Sequence, residues 1–200
     1  MEYHYQNSAM KKIGVLALQG AFIEHISCLR KLGADAFPVR LPHELEGIHG
    51  LIIPGGESTV MAKLMQSYNL TEIIRELVSD GLPVFGTCAG MILLSRKASQ
   101  LNSGVIGAID IEVTRNAFGR QINSFETDIS IPSLGEKPFH AVFIRAPLIT
   151  KTRPGVEILA RLEDSIGVAA RQRNVLVCAF HPELTDDIRF HQYFLESVAG

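Results

Sequence analysis

The chain has 200 residues, a one-domain length, and 46% of them are hydrophobic, enough to build a single sizeable core. Its 19 basic and 21 acidic side chains leave a formal net charge of −2. That balance excludes the basic footprint of a nucleic-acid or anionic-membrane binder. Glycine and proline stand near average usage, so the chain is neither disordered nor fibrous. The charge-free stretch from Gly81 to Ser95 is interrupted by Gly, Pro, Thr and Cys, whereas a spanning helix needs about 20 apolar residues.

Three cysteines are present, Cys28, Cys88 and Cys178, with no Cys-x-x-Cys pair. A sparse, odd count argues against a disulfide framework or a zinc site and for a reducing, cytoplasmic setting. Residues 1–9 (MEYHYQNSA) lack the basic start and apolar centre of a signal peptide. They are read as a leader, with one folded domain over residues 10–200.

The predicted elements alternate in kind along the first hundred residues. Ile13 to Leu18 is a compact strand. Phe22, Ile26 and Leu29 recur at helical spacing, and Gly33 ends that helix. Ala36 to Val39 and Leu51 to Ile53 are short strands, the latter closed by Pro54-Gly55-Gly56. Ser58 or Thr59 is placed to cap a helix carrying Met61, Leu64 and Met65. Thr71 is placed to cap another, with Ile73, Ile74, Leu77 and Val78 on one face and a stop at Asp80-Gly81. Pro83 to Phe85 is a fourth strand, followed by Gly86-Thr87-Cys88-Ala89-Gly90 and an apolar helix from Met91 to Leu94. Strands alternating with helices imply a parallel sheet covered on both faces.

The second half reads as consecutive strands: Val105 to Val113, Phe125 to Ile131, Ala141 to Ile144, Val156 to Leu162, Ile166 to Ala170 and Val175 to Phe180. Turn residues separate them, which predicts hairpins that partly extend the main sheet and partly form a side sheet. A last helix, Asp187 to Val198, places Phe190, Phe194 and Val198 on one face. The fold class is therefore a single-domain α/β protein with a mainly parallel central sheet, flanking helices and added antiparallel strands.

Three segments carry chemistry. Gly86-Thr87-Cys88-Ala89-Gly90 has a cysteine between a strand and a helix, with small residues two positions either side. A nucleophile on a sharp strand-to-helix turn needs that spacing. A helix N-terminus favours the thiolate, and the next backbone N–H points to where an oxyanion would form. A structural cysteine beside a glycine-rich turn reads equally from these five residues. His181-Pro182-Glu183 follows a strand and supplies a base with a carboxylate to orient it. His25, His140 and His191 read as surface or structural histidines. Pro54-Gly55-Gly56-Glu57-Ser58 follows a strand too. Its glycines allow close backbone approach to a ligand, and its side chains offer a carboxylate and a hydroxyl; by itself it also reads as a loop leading into a helix. Together, in chain order, the three segments form a constellation for acyl transfer from an amide through a thioester.

Those segments resemble the class I, triad-type glutamine amidotransferases. Leu16-Ala17-Leu18-Gln19-Gly20-Ala21, Pro54 to Thr59, Val113-Thr114-Arg115-Asn116-Ala117-Phe118-Gly119-Arg120-Gln121, Phe143-Ile144-Arg145-Ala146-Pro147 and His181 to Thr185 narrow the resemblance to the glutaminase subunits of pyridoxal 5'-phosphate synthases. The similarity runs from about Met10 to the last helix. It implies a flavodoxin-like fold and hydrolysis of L-glutamine to glutamate and ammonia. It assigns Cys88 as nucleophile, His181 as base and acid, and Glu183 as the group orienting His181. It implies an oxyanion hole from the Gly55-Gly56 loop and Ala89, and glutamine contacts from Gly56, Glu57, Ser58, Arg115, Ile144 and Arg145. Which arginine meets the substrate carboxylate is not readable from the residues.

The resemblance further implies no metal or cofactor, reaction-class labels of hydrolase and lyase, and a (β/α)-barrel synthase subunit that receives the ammonia. It implies weak activity until that partner docks, through a peptide near Gly55-Gly56 that must reorient, with the Gln19-Gly20 turn and first helix at the interface. The alternatives are the glutaminase subunit of another amidotransferase, such as imidazole glycerol phosphate synthase, or a cysteine peptidase-like α/β protein.

Overall fold

The computed structural model describes residues 10–99, 101, 104–115, 124–163 and 165–199. The expected leader, residues 1–9, and the Asn116 to Gln121 part of the motif lie outside the described residues. The first half is a run of βα units: β1 (Lys12–Leu16), α1 (Phe22–Lys31), β2 (Asp35–Val39), β3 (Gly50–Ile53), α2 (Ser58–Ser67), α3 (Leu70–Ser79), β4 (Val84–Thr87) and α4 (Ala89–Leu94). The second half is mostly strand: β5 (Ser95–Ala98), β6 (Ile109–Thr114), β7 (Ser124–Ile129), β8 (Phe139–Ile144), β9 (Leu148–Thr152), β10 (Glu157–Leu162), β11 (Ile166–Gln172) and β12 (Val175–Cys178). The chain closes with α5 (Arg189–Tyr193), continued by a π-helical turn, Phe194–Val198.

One mixed sheet runs β2-β1-β3-β4-β12-β11-β9-β6-β5, with β10 paired to β11. The five strands from β2 to β12 are mutually parallel. β11 and β9 run antiparallel to their neighbours, and β7 and β8 form a separate antiparallel pair. Every residue of β3, β4 and β12 is buried. This is why those segments read as unbroken apolar runs: helices cover both faces of a parallel sheet. The aromatic core gathers behind the sheet's centre, where Phe85 packs against Phe190 and Phe194 with ring centroids 5.4 and 5.7 Å apart. Phe190, Phe194 and Val198 all face inward, as their spacing predicts.

Helix ends depart from expectation in two places. Glu57, not Ser58 or Thr59, caps α2: its carboxylate accepts the N–H groups of Thr59 at 3.3 Å and Val60 at 2.8 Å. Its charge also suits the positive end of the helix better than a hydroxyl does. α3 starts at Leu70 from a left-handed Asn69 (φ 58°), so Thr71 lies inside the first turn with its hydroxyl buried. The strand expected from Val105 begins only at Ile109, beyond Gly107 at φ +74°. β5 (SRKA) and β9 (LITKT) were not expected at all. Their own residues lack an apolar alternation, and pairing to β6 makes them strands.

Candidate active site

β4 and β12 lie side by side in parallel, with Thr87 in register with Cys178. Cys88 follows the end of β4 directly and His181 follows β12 by three residues, so residues 93 positions apart are delivered to the same sheet edge. That edge is the carboxyl end of parallel strands, where open α/β sheets bind ligands. The Cys88 backbone N–H donates to the Cys178 carbonyl at 2.8 Å, tying the two strand ends together.

Cys88 has φ 49° and ψ −101°, a conformation costly for any side-chain-bearing residue. The sequence predicts this sharp turn from the small residues around it, and the packing explains them. A Cβ on Gly86 would sit 2.7 Å from the Gly90 carbonyl carbon, and one on Gly90 would run into the Ile53 carbonyl oxygen. Strand and helix meet backbone to backbone, and the thiol stands at the start of α4.

His181 is 7% exposed and Glu183 5%. His181 Nδ1 and Glu183 Oε1 are 2.7 Å apart. The His181 backbone N–H donates to the Val142 carbonyl at 2.8 Å, which anchors the residue's main chain to β8. Burial pushes the His181 imidazolium down, but its hydrogen bonds to Cys88 and Glu183 outweigh that and raise it to about 10. Burial pushes Glu183 up. His25 and His181 overcome it and hold the carboxyl below its ordinary value. The site therefore stores an imidazolium beside the Cys88 sulfur, backed by a carboxylate. Such a group is placed to take and return a proton at an attacking sulfur and a departing amine.

Gly55 packs on the His181 ring, and its carbonyl accepts the Ala21 N–H at 3.3 Å. Gln19 Oε1 accepts the Glu57 N–H at 2.8 Å. The turn between β1 and α1 thus clasps the Gly55-Gly56-Glu57 loop at two points. Arg115, just past β6, donates to Glu57 Oε1 at 3.0 Å and to Thr59 Oγ1 at 3.2 Å. Burial pushes Glu57 up, but the Val60 and Thr59 N–H groups and Arg115 together lower it. Ser58 is buried, with no hydrogen-bond partner for its hydroxyl among the described residues. The Ile144 carbonyl lies 3.8 Å from Cys88 Sγ. Arg145 is exposed, on a left-handed backbone at φ 44°. Glu57 and Arg115 are brought together, and the Ile144 carbonyl reaches the Cys88 sulfur.

Cys28 and Cys178 are buried, and burial raises both thiols, Cys178 well above its ordinary value. His25 and His191 are fully buried, and His25 abuts Glu183 (Nε2 to Oε2, 3.4 Å). Both read as surface or structural histidines in the sequence, and the fold buries them. The available signal was a histidine on the apolar face of α1, between Phe22 and Leu29. Among the described residues no cluster of three or more metal-ligating side chains occurs, and no helix is long and apolar enough to cross a membrane.

Residues 15–200 match the SNO glutamine amidotransferase family. The chain is 56% identical over 187 residues to pyridoxal 5'-phosphate synthase subunit PdxT of Carboxydothermus hydrogenoformans, covering 94% of this chain and 97% of that protein. It is 50% identical over 187 residues to the PdxT subunit of Thermotoga maritima, covering 94% and 99%. A crystal structure of a glutamine amidotransferase superposes with a TM-score of 0.88 at 48% identity, covering 94% of this chain and 98% of that one. PurLQS from Thermotoga maritima shares the fold alone, with a TM-score of 0.67 at 15% identity over 93% of this chain and 98% of that one. The family match overturns the lyase label. Releasing nitrogen from glutamine through acyl transfer to water is hydrolysis, not elimination, so only the hydrolase class stands. From the elbow at Cys88 to the match along residues 15–200, the chain belongs to the SNO glutamine amidotransferase family.

Proposed function

We propose that this chain is the glutaminase subunit of a pyridoxal 5'-phosphate synthase, working through a Cys88–His181–Glu183 triad. The observation that carries the reading is the strained elbow that sets Cys88 beside His181, with Glu183 buried 2.7 Å behind the ring. Cys88 attacks the side-chain amide of L-glutamine while His181 holds the proton. The tetrahedral oxyanion is met by backbone N–H groups of Ala89 and the Gly55-Gly56 loop. His181 protonates the departing amide nitrogen so that it leaves as ammonia, and water, deprotonated by the same imidazole, releases glutamate from the thioester. Arg115 and Arg145 are the cations for the substrate α-carboxylate, and Glu57 the anion for its α-ammonium, with Gly56, Ser58 and Ile144 lining the same pocket.

The partner is a (β/α)-barrel synthase subunit that takes the ammonia directly. Direct transfer keeps it from protonation in water, which would remove its nucleophilicity. The double clasp of Gln19 and Ala21 on the Gly55 loop gives a docked partner a lever: contact with the β1–α1 turn reorients the Gly55-Gly56 peptide and completes the oxyanion hole. Three buried free cysteines accord with a cytoplasmic site of action.

The test is glutamate release from L-glutamine, with and without the synthase subunit, using Cys88→Ala as control. Partner-stimulated release that vanishes in Cys88→Ala is the expected result. Release that ignores the partner would refute the assigned pathway, and release by Cys88→Ala would refute the nucleophile.

A further inference from the structure

Behind the triad lies a second polar group, sealed from solvent and unused by the chemistry above. His25, on α1, is fully buried. Its Nδ1 is 2.8 Å from His191 Nε2 on α5, and its Nε2 is 3.1 Å from Thr87 Oγ1 and 3.4 Å from Glu183 Oε2. Glu183 Oε2 and His191 Nδ1 are both buried with no hydrogen-bond partner among the described residues.

Proton counting fixes how these groups are arranged. Burial lowers both imidazoles, His191 to about 3, so each is neutral and carries one N–H. Only one proton fits between His25 Nδ1 and His191 Nε2. If His25 supplied it, His25 Nε2 would turn a lone pair toward the Glu183 carboxylate, and His191 Nδ1–H would be a buried donor with no acceptor. If His191 supplies it, His25 Nε2–H donates to Thr87 Oγ1 and lies 3.4 Å from Glu183 Oε2 without being aligned on it. The leftover atoms are then both acceptors, His191 Nδ1 and Glu183 Oε2, rather than a buried donor, and an unpaired acceptor is the cheaper orphan. The second arrangement wins on both counts.

We propose that His25 is a positioning residue of the triad: its Nε2–H, oriented by His191, holds the Thr87 hydroxyl next to Cys88 and sets its positive edge against the outer oxygen of Glu183, so that Glu183 presents Oε1 to His181. This rests on the glutaminase reading and deepens it. The relay links α5 and α1 to the residue before the nucleophile and to the carboxylate behind the base. Two ends of the site are therefore set from one buried ring, just as outer partners of metal-bound histidines set ring orientation.

Two amide substitutions separate the ring nitrogens. In His25→Gln the amide nitrogen reaches the place of Nε2, and in His25→Asn it reaches only that of Nδ1. Both variants are assayed for glutamate release in complex with the synthase subunit, for thermal stability, and, in the free chain, for the far-downfield proton of His181 Nδ1 by NMR of nitrogen-15 histidine. His25→Asn is expected to lower kcat about 10–100-fold with KM within about twofold, and to shift the His181 proton. His25→Gln is expected to restore kcat to within about threefold of the parent, with the parental proton signal. Equal losses in the two variants, or losses that follow stability alone, would overturn the proposal. If His25→Asn does not fold, the parental proton signal in His25→Gln becomes the deciding result, and its absence overturns the proposal. A parent protein that releases no glutamate yet shows the expected proton shifts would refute the glutaminase reading and leave the role of His25 standing.

Discussion

Replacing Gly55 with alanine is expected to disable the site while leaving the fold standing. A Cβ there would lie 3.0 Å from His181 Nδ1 and 3.3 Å from Nε2, and closer still to Cε1. Carbon atoms rest at about 3.5–4.0 Å from their neighbours, so the ring or the loop must yield by about 1 Å. Neither has slack. The ring is held by Glu183 at 2.7 Å and the His181 backbone N–H by the Val142 carbonyl at 2.8 Å, while the loop is held by Ala21 and Gln19. Gly55 is not among the left-handed glycines, so alanine brings a clash and no backbone strain. A catalytic group misplaced by 1 Å costs about 100-fold in rate, or about 2.7 kcal/mol of barrier. The assay is kcat for glutamate release in the partner complex, with thermal unfolding alongside. Gly33→Ala is the control: at φ +80° with nothing within 4 Å, it should cost about 1 kcal/mol of stability and leave kcat unchanged. A Gly55→Ala enzyme with parental kcat, or a Gly33→Ala enzyme with equal loss, would refute the reasoning.

Two further outcomes follow from the charges. His181 is raised from 6.5 to about 10, so its contribution to stability is fully present below 6.5 and is lost as pH climbs through about 10. Urea midpoints should fall across that window in the parent, and the fall should be shallower in His181→Gln. Arg189 donates to the carbonyls of Leu134, Lys137 and Pro138 while paired with Asp187. Arg189→Ala should therefore cost about 1–2 kcal/mol in denaturant unfolding, with glutamate release per folded molecule unchanged.

Much of the site was legible because its signals are local. Gly86 and Gly90 flank Cys88 because strand and helix backbones touch there, and a two-residue offset in the sequence records that contact directly. His181 and Glu183 lie two residues apart, so their bond needs no knowledge of the rest of the fold. β3, β4 and β12 read as strands because burial on both faces makes them continuously apolar. The end of α1 at Gly33 and the inward face of Phe190, Phe194 and Val198 are local patterns of the same kind.

Other features exist only through contacts between distant segments. β5 and β9 carry polar residues with no alternation, and they become strands by pairing with β6. Arg115 is a glutamine contact by resemblance alone, and only the fold sets it 3.0 Å from Glu57, which also takes the cap that hydroxyl residues were expected to fill. His25 and His191 are 166 positions apart and meet at 2.8 Å behind an acid on a third segment. A histidine on an apolar helix face shows that the ring is buried, but its tautomer and its target depend on what packs against it. The residue types and their local spacing thus specify the chemistry, while the parallel pairing of β4 with β12 and the packing of α1 on α5 decide which groups meet. Hydrogen bonds act over about 3 Å, and only tertiary structure brings residues from opposite ends of a chain within that range.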